Sequence, residues 1–306
     1  NDSGQRTRAV TAAMLGVNAG IACDNIFFPK LAAFFAQYSN DKGYFMAALV
    51  MMLVGLPLML NGFIQIKERV PPSPEKVTMR DTFHNLRQNK PLFIVLLSFF
   101  FCVFHNVANG IYIYFFIYNM GDGGLQMAIG IMGILAAGVC LIAPMLTRRM
   151  QKRQLFMILC GLDVAVRLVM WFAGYQHTVL LFILLGLSTL FVMMTNILTS
   201  SMIADTIEYA EYHTNKRCAA ITFSGQTFTG KMSVAVGGGL IGVFLTMIGY
   251  VPQAQVQSDV VLNGLFFGIC LLPAIGSVIR LICMSRFTFT EEKHAEICRL
   301  LAERRA

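Results

Sequence analysis

The chain has 306 residues, of which 56% are hydrophobic and only 13% charged, with a formal net charge of +8. With a mean hydropathy of +0.64, this balance excludes an ordinary soluble domain and points to an integral membrane protein. The basic excess is spread over separate polar segments instead of one patch, which argues against nucleic-acid binding.

The apolar residues fall in long runs, with 25 Phe, 19 Met and a single Trp. That suits helices better than the ten-residue alternation of a membrane barrel, so an all-α membrane fold is expected. Eight runs are each long enough to cross a hydrocarbon core of about 30 Å as a helix. In chain order they are 9–37, 43–66, 91–119, 125–147, 154–174, 178–204, 224–250 and 260–284. The first is interrupted near Pro29. Residues 67–90, with Pro71, Pro72 and Pro74 among charged neighbours, read as a linker between two bundles. The expected division is 1–66 (two helices of an N-terminal bundle), 67–90 (cytoplasmic linker), 91–284 (a six-helix C-terminal bundle) and 285–306 (cytoplasmic tail).

Lys and Arg resist translocation and so report orientation. Two lie before the first run, six in 67–90, four in "RRMQKR", two in "NKR" and six from Arg280 onward, while the alternate loops hold only Lys42. Both termini are therefore expected to be cytoplasmic, with the chain in the inner (plasma) membrane. It opens on "NDSGQRTR", with neither Met nor an apolar leader, which reads as a start inside a longer protein.

Lys231 is the sharpest feature, a lone ammonium inside an apolar run. At bilayer depth it costs about 2.5 to 3.5 kcal/mol, so it should meet an anion or a water-filled cavity. A transport pathway and a structural ion pair or snorkelling are the two readings. Thr227 lies one turn before it on the same helical face and Gln226 adjoins, offering hydroxyl and amide groups to sugar oxygens. Asp205, Glu208 and Tyr212 share one helix face, with Glu211, His213, Lys216 and Arg217 nearby. They read either as a solvated helix end or as an inner gate whose salt bridges exchange. Asp163 and Arg167, spaced i, i+4, form a possible ion pair within the membrane. His105, Asn106 and Asn109 are cavity-lining or interhelical polar groups, and Asp24 is a candidate cation ligand at a broken helix.

The eight cysteines include no C-x-x-C, so no disulfide framework or metal site is expected. No G-x-x-x-x-G-K-[ST], H-E-x-x-H or G-x-S-x-G occurs, leaving no ground for ATP-driven pumping or hydrolysis. The chain is accordingly read as no enzyme and without cofactor; an intramembrane enzyme would need a nucleophile or metal cluster.

The stretches "IYFFIYNMGDGGL", "MIADTIEYAEY", "KRCAAITFSGQTFTGK" and "TMIGYVPQ" resemble the glycoside/pentoside/hexuronide:cation symporters, the melibiose-permease-like branch of the major facilitator superfamily. The resemblance runs nearly the whole chain and is most specific from Met202 to Gln253. It implies a twelve-helix fold, of which this chain would hold the last eight, carrying a sugar, glycoside or sugar acid with Na⁺, Li⁺ or H⁺. Lys231 matches the family's coupling lysine, and Gln226 and Thr227 match sugar-cavity positions. Asn196 stands at a sugar-site tryptophan and Ala13 at a sugar-site arginine, which leaves galactoside recognition open. The resemblance also places the main cation and sugar carboxylates on helices outside this chain, so these 306 residues alone are expected to be inactive. An uncoupled or exchanging carrier of an organic anion, carboxylate or sulfonate, is the alternative.

Overall fold

The computed structural model describes residues 16, 20, 21, 23, 24, 26–37, 42–65, 89–139, 146, 147, 149–214, 219–252 and 254–305. Among them the regular elements are all helical. This follows from the sequence, because backbone in hydrocarbon must satisfy its N–H and C=O groups within its own segment. The helices are α1 (Ile26–Ala36), α2 (Gly43–Gln65), α3 (Lys90–Phe100), α4 (Val103–Asn119), α5 (Gln126–Val139), α6 (Lys152–Ala173), α7 (Thr178–Thr214), α8 (Ala219–Met247), α9 (Asp259–Ser285) and α10 (Glu291–Arg305). Among the described residues six spans are long and apolar enough to cross a membrane: α2, α3 with α4, α6, α7, α8 and α9. The shorter apolar helices α1 and α5 lie within the remaining two expected runs. Most of the linker, 67–88, lies outside the described residues, as do Ala13, Lys216 and Arg217.

The chain divides into two compact units. Unit 1 comprises residues 1–77 and 127–137, hence α1, α2 and most of α5. Here α1 and α2 meet at Gly43, where an added Cβ would lie 2.8 Å from the carbonyl oxygen of Ala32. Unit 2 comprises residues 78–126 and 138–306 and holds α3, α4 and α6 to α10.

Unit 2 begins at a built cap. The Asn89 side chain accepts from the Leu92 N–H at 3.1 Å and donates to the Thr206 carbonyl at 3.0 Å, with Pro91 in the first turn of α3. One residue thus starts a helix and ties it to α7. Close helix crossings follow from glycine. A Cβ at Gly276 of α9 would sit 2.8 Å from Phe104 Cβ and 3.2 Å from the Phe101 carbonyl, and one at Gly237 of α8 would sit 3.0 Å from Asn106 Cβ. Gly276→Ala should therefore cost about 1 to 3 kcal/mol. Gly238→Ala, which meets nothing within 4 Å, should leave stability unchanged or slightly raised. Thermal unfolding of the two purified variants checks the contrast.

The core of unit 2 is apolar at both ends of the bundle. At the α10 end Leu155, Phe156, Met202, Ile203, Met284, Phe287 and Leu301 are buried together. At the opposite end Phe115 and Trp171 stack on Phe266, with Tyr175 edge-on to Phe115 and Phe266. There α8 closes with Gly249 at φ 78° and the Tyr250 N–H bonded to the Leu245 carbonyl, a left-handed turn that suits glycine. Exposed apolar side chains such as Phe63, Phe172 and Met247 have the character expected of surfaces that meet lipid tails.

α7 is the element that departs from expectation. Its apolar run ends near 204, yet the helix continues to Thr214, a length of about 55 Å that exceeds the hydrocarbon core. A second departure is α10, in the segment read only as a tail.

Candidate functional site

Three helices of unit 2 share a polar seam. From α4, Asn106 donates to the Ser233 hydroxyl of α8 at 3.0 Å. From α8, Gln226 donates to the Ser200 hydroxyl of α7 at 2.8 Å, and Ser200 in turn donates to the Asn196 carbonyl at 3.2 Å. The Asn196 side chain receives the Cys102 thiol at 3.6 Å. Gln226 and Ser233 are seven residues apart and so lie on one face of α8, turned into the bundle.

Thr227 and Lys231 lie on a different face. Both are exposed, as is Asn109 on α4. The Thr227 hydroxyl is returned to the Phe223 carbonyl at 3.0 Å. Lys231 stands near the middle of α8, about 18 Å from its start, and has no hydrogen bond or ion pair among the described residues. The structure therefore bonds Asn106 to Ser233 and links Gln226 through Ser200 to Asn196, and it leaves Lys231, Thr227 and Asn109 on open surface of the unit. Asp24, in unit 1, is exposed.

A buried charge network lies deeper, where α4, α6 and α9 meet. Asp163 Oδ1 receives Arg167 Nε at 3.0 Å, and Asp163 Oδ2 receives the Ser277 hydroxyl at 2.5 Å. His105 Nε2 lies 3.3 Å from the same oxygen, which selects the tautomer with the proton on Nε2. Arg167 also donates to the Ile269 carbonyl at 2.9 Å. Arg280 is buried to 1% exposure on α9. It donates to the Thr195 hydroxyl at 3.2 Å and lies over the Phe156 ring at 5.1 Å. A cation on an aromatic face is stabilised by the ring quadrupole. The cluster thus sets one carboxylate against two guanidinium groups. The spacing of Asp163 and Arg167 announced their pairing, whereas Ser277, Arg280 and the turn of His105 towards Asp163 carried no signal in the sequence.

At the α10 end, Asp205 pairs with Lys152 of α6 at 2.5 Å and Glu208 with His294 of α10 at 3.6 Å. Arg304 donates to the Tyr212 carbonyl at 3.2 Å and lies 4.4 Å over its ring. Glu211 is half-buried on the same stretch. Lys152, Glu291, His294 and Arg304 were not anticipated as partners. The signal for α10 was nevertheless present: Thr290 as a capping residue, Glu291 and Glu292 in the first turn, and Ile297 and Leu301 four apart.

The description MFS/sugar transport protein matches residues 1–291. The chain belongs to this family. It is 28% identical to an uncharacterized symporter, YnaJ, of Bacillus subtilis, over 95% of this chain and 64% of the relative. It is 30% identical to a putative sulfoquinovose importer of Salmonella typhimurium, over 95% of this chain and 62% of the relative. A putative 2,3-dihydroxypropane-1-sulfonate exporter of Escherichia coli is 31% identical, over 83% of this chain and 56% of the relative. The chain thus spans under two thirds of the length of these relatives. Their names and the family description indicate transporters rather than enzymes, and the resemblance to the symporters named above agrees with the family.

Proposed function

We propose that the chain is part of a secondary transporter that carries a sugar, glycoside or sugar acid with Na⁺, Li⁺ or H⁺ by alternating access, with both termini of the chain in the cytoplasm. The observation that carries this reading is Lys231. A lysine halfway along an apolar helix, facing out of its own bundle without a partner among the described residues, is too costly to leave against lipid. It belongs beside water, a substrate or a carboxylate, in a pathway at the bilayer midplane. On the same open surface Thr227 and Asn109 offer a hydroxyl and an amide, and the seam amides of Gln226, Asn106 and Asn196 could exchange their present serine and thiol partners for the hydroxyls of a polyhydroxylated substrate. The pairs at the α10 end, Asp205 with Lys152 and Glu208 with His294, supply a gate that can open by exchanging partners.

The same lysine favours a second reading. A lone cation is also the group that would hold a sulfonate or carboxylate, and two of the relatives above are named for sulfoquinovose and for 2,3-dihydroxypropane-1-sulfonate; transport would then be uncoupled or by exchange. Counterflow in proteoliposomes containing the whole protein separates the readings, using labelled neutral glycosides and labelled sulfonated sugars. Movement of neutral sugar that rises with Na⁺ or with a proton gradient is the expected result. Movement of sulfonates alone, indifferent to cations, selects the second reading, and chemical conversion of the probe contradicts both.

A further inference from the structure

We propose that α10 is the positioning element of the gate, with Glu291 and His294 holding the start of α6 against the end of α7 and docking more tightly when His294 is protonated. The proposal rests on the gate assigned above to Asp205, Glu208 and their partners.

The geometry is a clamp on Lys152 from two helices. Its ammonium meets Asp205 of α7, while its backbone N–H, at the start of α6, donates to Glu291 Oε1 of α10 at 2.6 Å. Glu291 thus serves as an N-terminal cap supplied by another helix, a carboxylate on the positive end of the α6 dipole. Arg153 fastens the other side, donating to the Met284 and Ser285 carbonyls at the end of α9, the latter at 2.6 Å. Below these polar ties Phe287, Phe289, Ile297 and Leu301 are buried in the same core as Leu155 and Met202. Phe289 meets Tyr209 edge to face at 5.2 Å. α10 therefore docks through an apolar face, and its polar contacts converge on the two helices that carry the gate.

His294 is the histidine at the centre of this interface. It faces Asp205 and Glu208 on α7, Lys152 and Arg153 on α6, and Glu291 and Cys298 on α10. Bonding to the Glu208 carboxylate raises its pKa above the ordinary 6.5; the Asp205 charge adds to this, and burial and Lys152 oppose it. A raised folded-state pKa means that the proton stabilises docking. That contribution is complete below about pH 6.5 and is lost as pH rises through the raised value. Neutral His294 loosens α10 and frees the start of α6 to leave α7. The gate should therefore open more readily on the alkaline side.

The test has two readouts. Hydrogen exchange of the α10 amides, in nanodiscs and corrected for intrinsic rates, should show protection falling roughly threefold from about pH 6 to about pH 8. His294→Gln should abolish that response, and Glu291→Gln should lower protection at both values and fray the first turn of α6. An unchanged response in His294→Gln, or none in the wild type, would overturn the proposal. In the whole protein, the rate of counterflow against pH on the α10 face should lose its inflection in His294→Gln, with KM unaltered. A retained inflection, or a change confined to KM, refutes the positioning role. Absence of any sugar or sulfonate movement would instead contradict the transport reading, while exchange still judges the docking.

Discussion

Asp163→Ala should prevent the chain from accumulating as folded protein. The substitution removes the carboxylate that faces Arg167, His105 and Ser277 at once, and it leaves Arg167 and Arg280 buried without an anion in their cluster. Removing one member of a buried pair costs about 3 to 5 kcal/mol, because the surviving charge loses its compensation in a medium of low dielectric constant. A marginally stable protein does not survive a loss of that size. Replacing both partners, as Asp163→Leu with Arg167→Leu, restores the net charge of the cluster to that of Arg280 alone. The double variant should therefore be less damaged than either single one. Yield and thermal unfolding in detergent check the order: wild type first, the double variant next, the single variants last. A single variant as stable as wild type would contradict the assignment of this network as structural.

This network also shows what a single sequence can and cannot disclose. Asp163 and Arg167 are legible because helical periodicity alone puts residues four apart on one face, whatever surrounds them. The same periodicity gathered Asp205, Glu208 and Tyr212. Their partners were illegible for the complementary reason: Lys152, His294 and Arg304 come from other helices, and nothing in local spacing measures a distance between helices. Long apolar runs gave the spans, since the bilayer imposes both length and hydropathy. The continuation of α7 to Thr214 left no such trace. Beyond the apolar run it is held by tertiary packing, with Tyr209 against Phe289 and Arg304 over Tyr212. Arg280 misled in the other direction. Six residues before Arg286 in a basic C-terminal stretch, it counted as a cytoplasmic charge, but α9 runs to Ser285 and turns it inward over Phe156. In the candidate site, the amides of Asn106 and Gln226 were identified as polar, and the structure adds that they are bonded to serines while Lys231 has no partner among the described residues.

That contrast leads to the second large effect. Lys231→Ala removes an exposed side chain with no partner in the described residues, so the unit loses neither packing nor a hydrogen bond. Surface substitutions of this kind shift stability by about 0.5 kcal/mol or less. Transport should respond very differently. If the ammonium meets a desolvated anion during the cycle, its loss is worth about 2 kcal/mol or more, which is roughly a thirtyfold fall in accumulation rate. Lys231→Arg keeps the charge but not the compact ammonium, and should recover part of the loss.

Gradient-driven accumulation by the whole protein carrying Lys231→Ala, in proteoliposomes with protein amount and thermal unfolding matched to wild type, tests the central claim most directly. The account predicts folded, inserted protein that no longer concentrates its sugar or sulfonate; accumulation at the wild-type level would contradict it and remove Lys231 from the transport pathway.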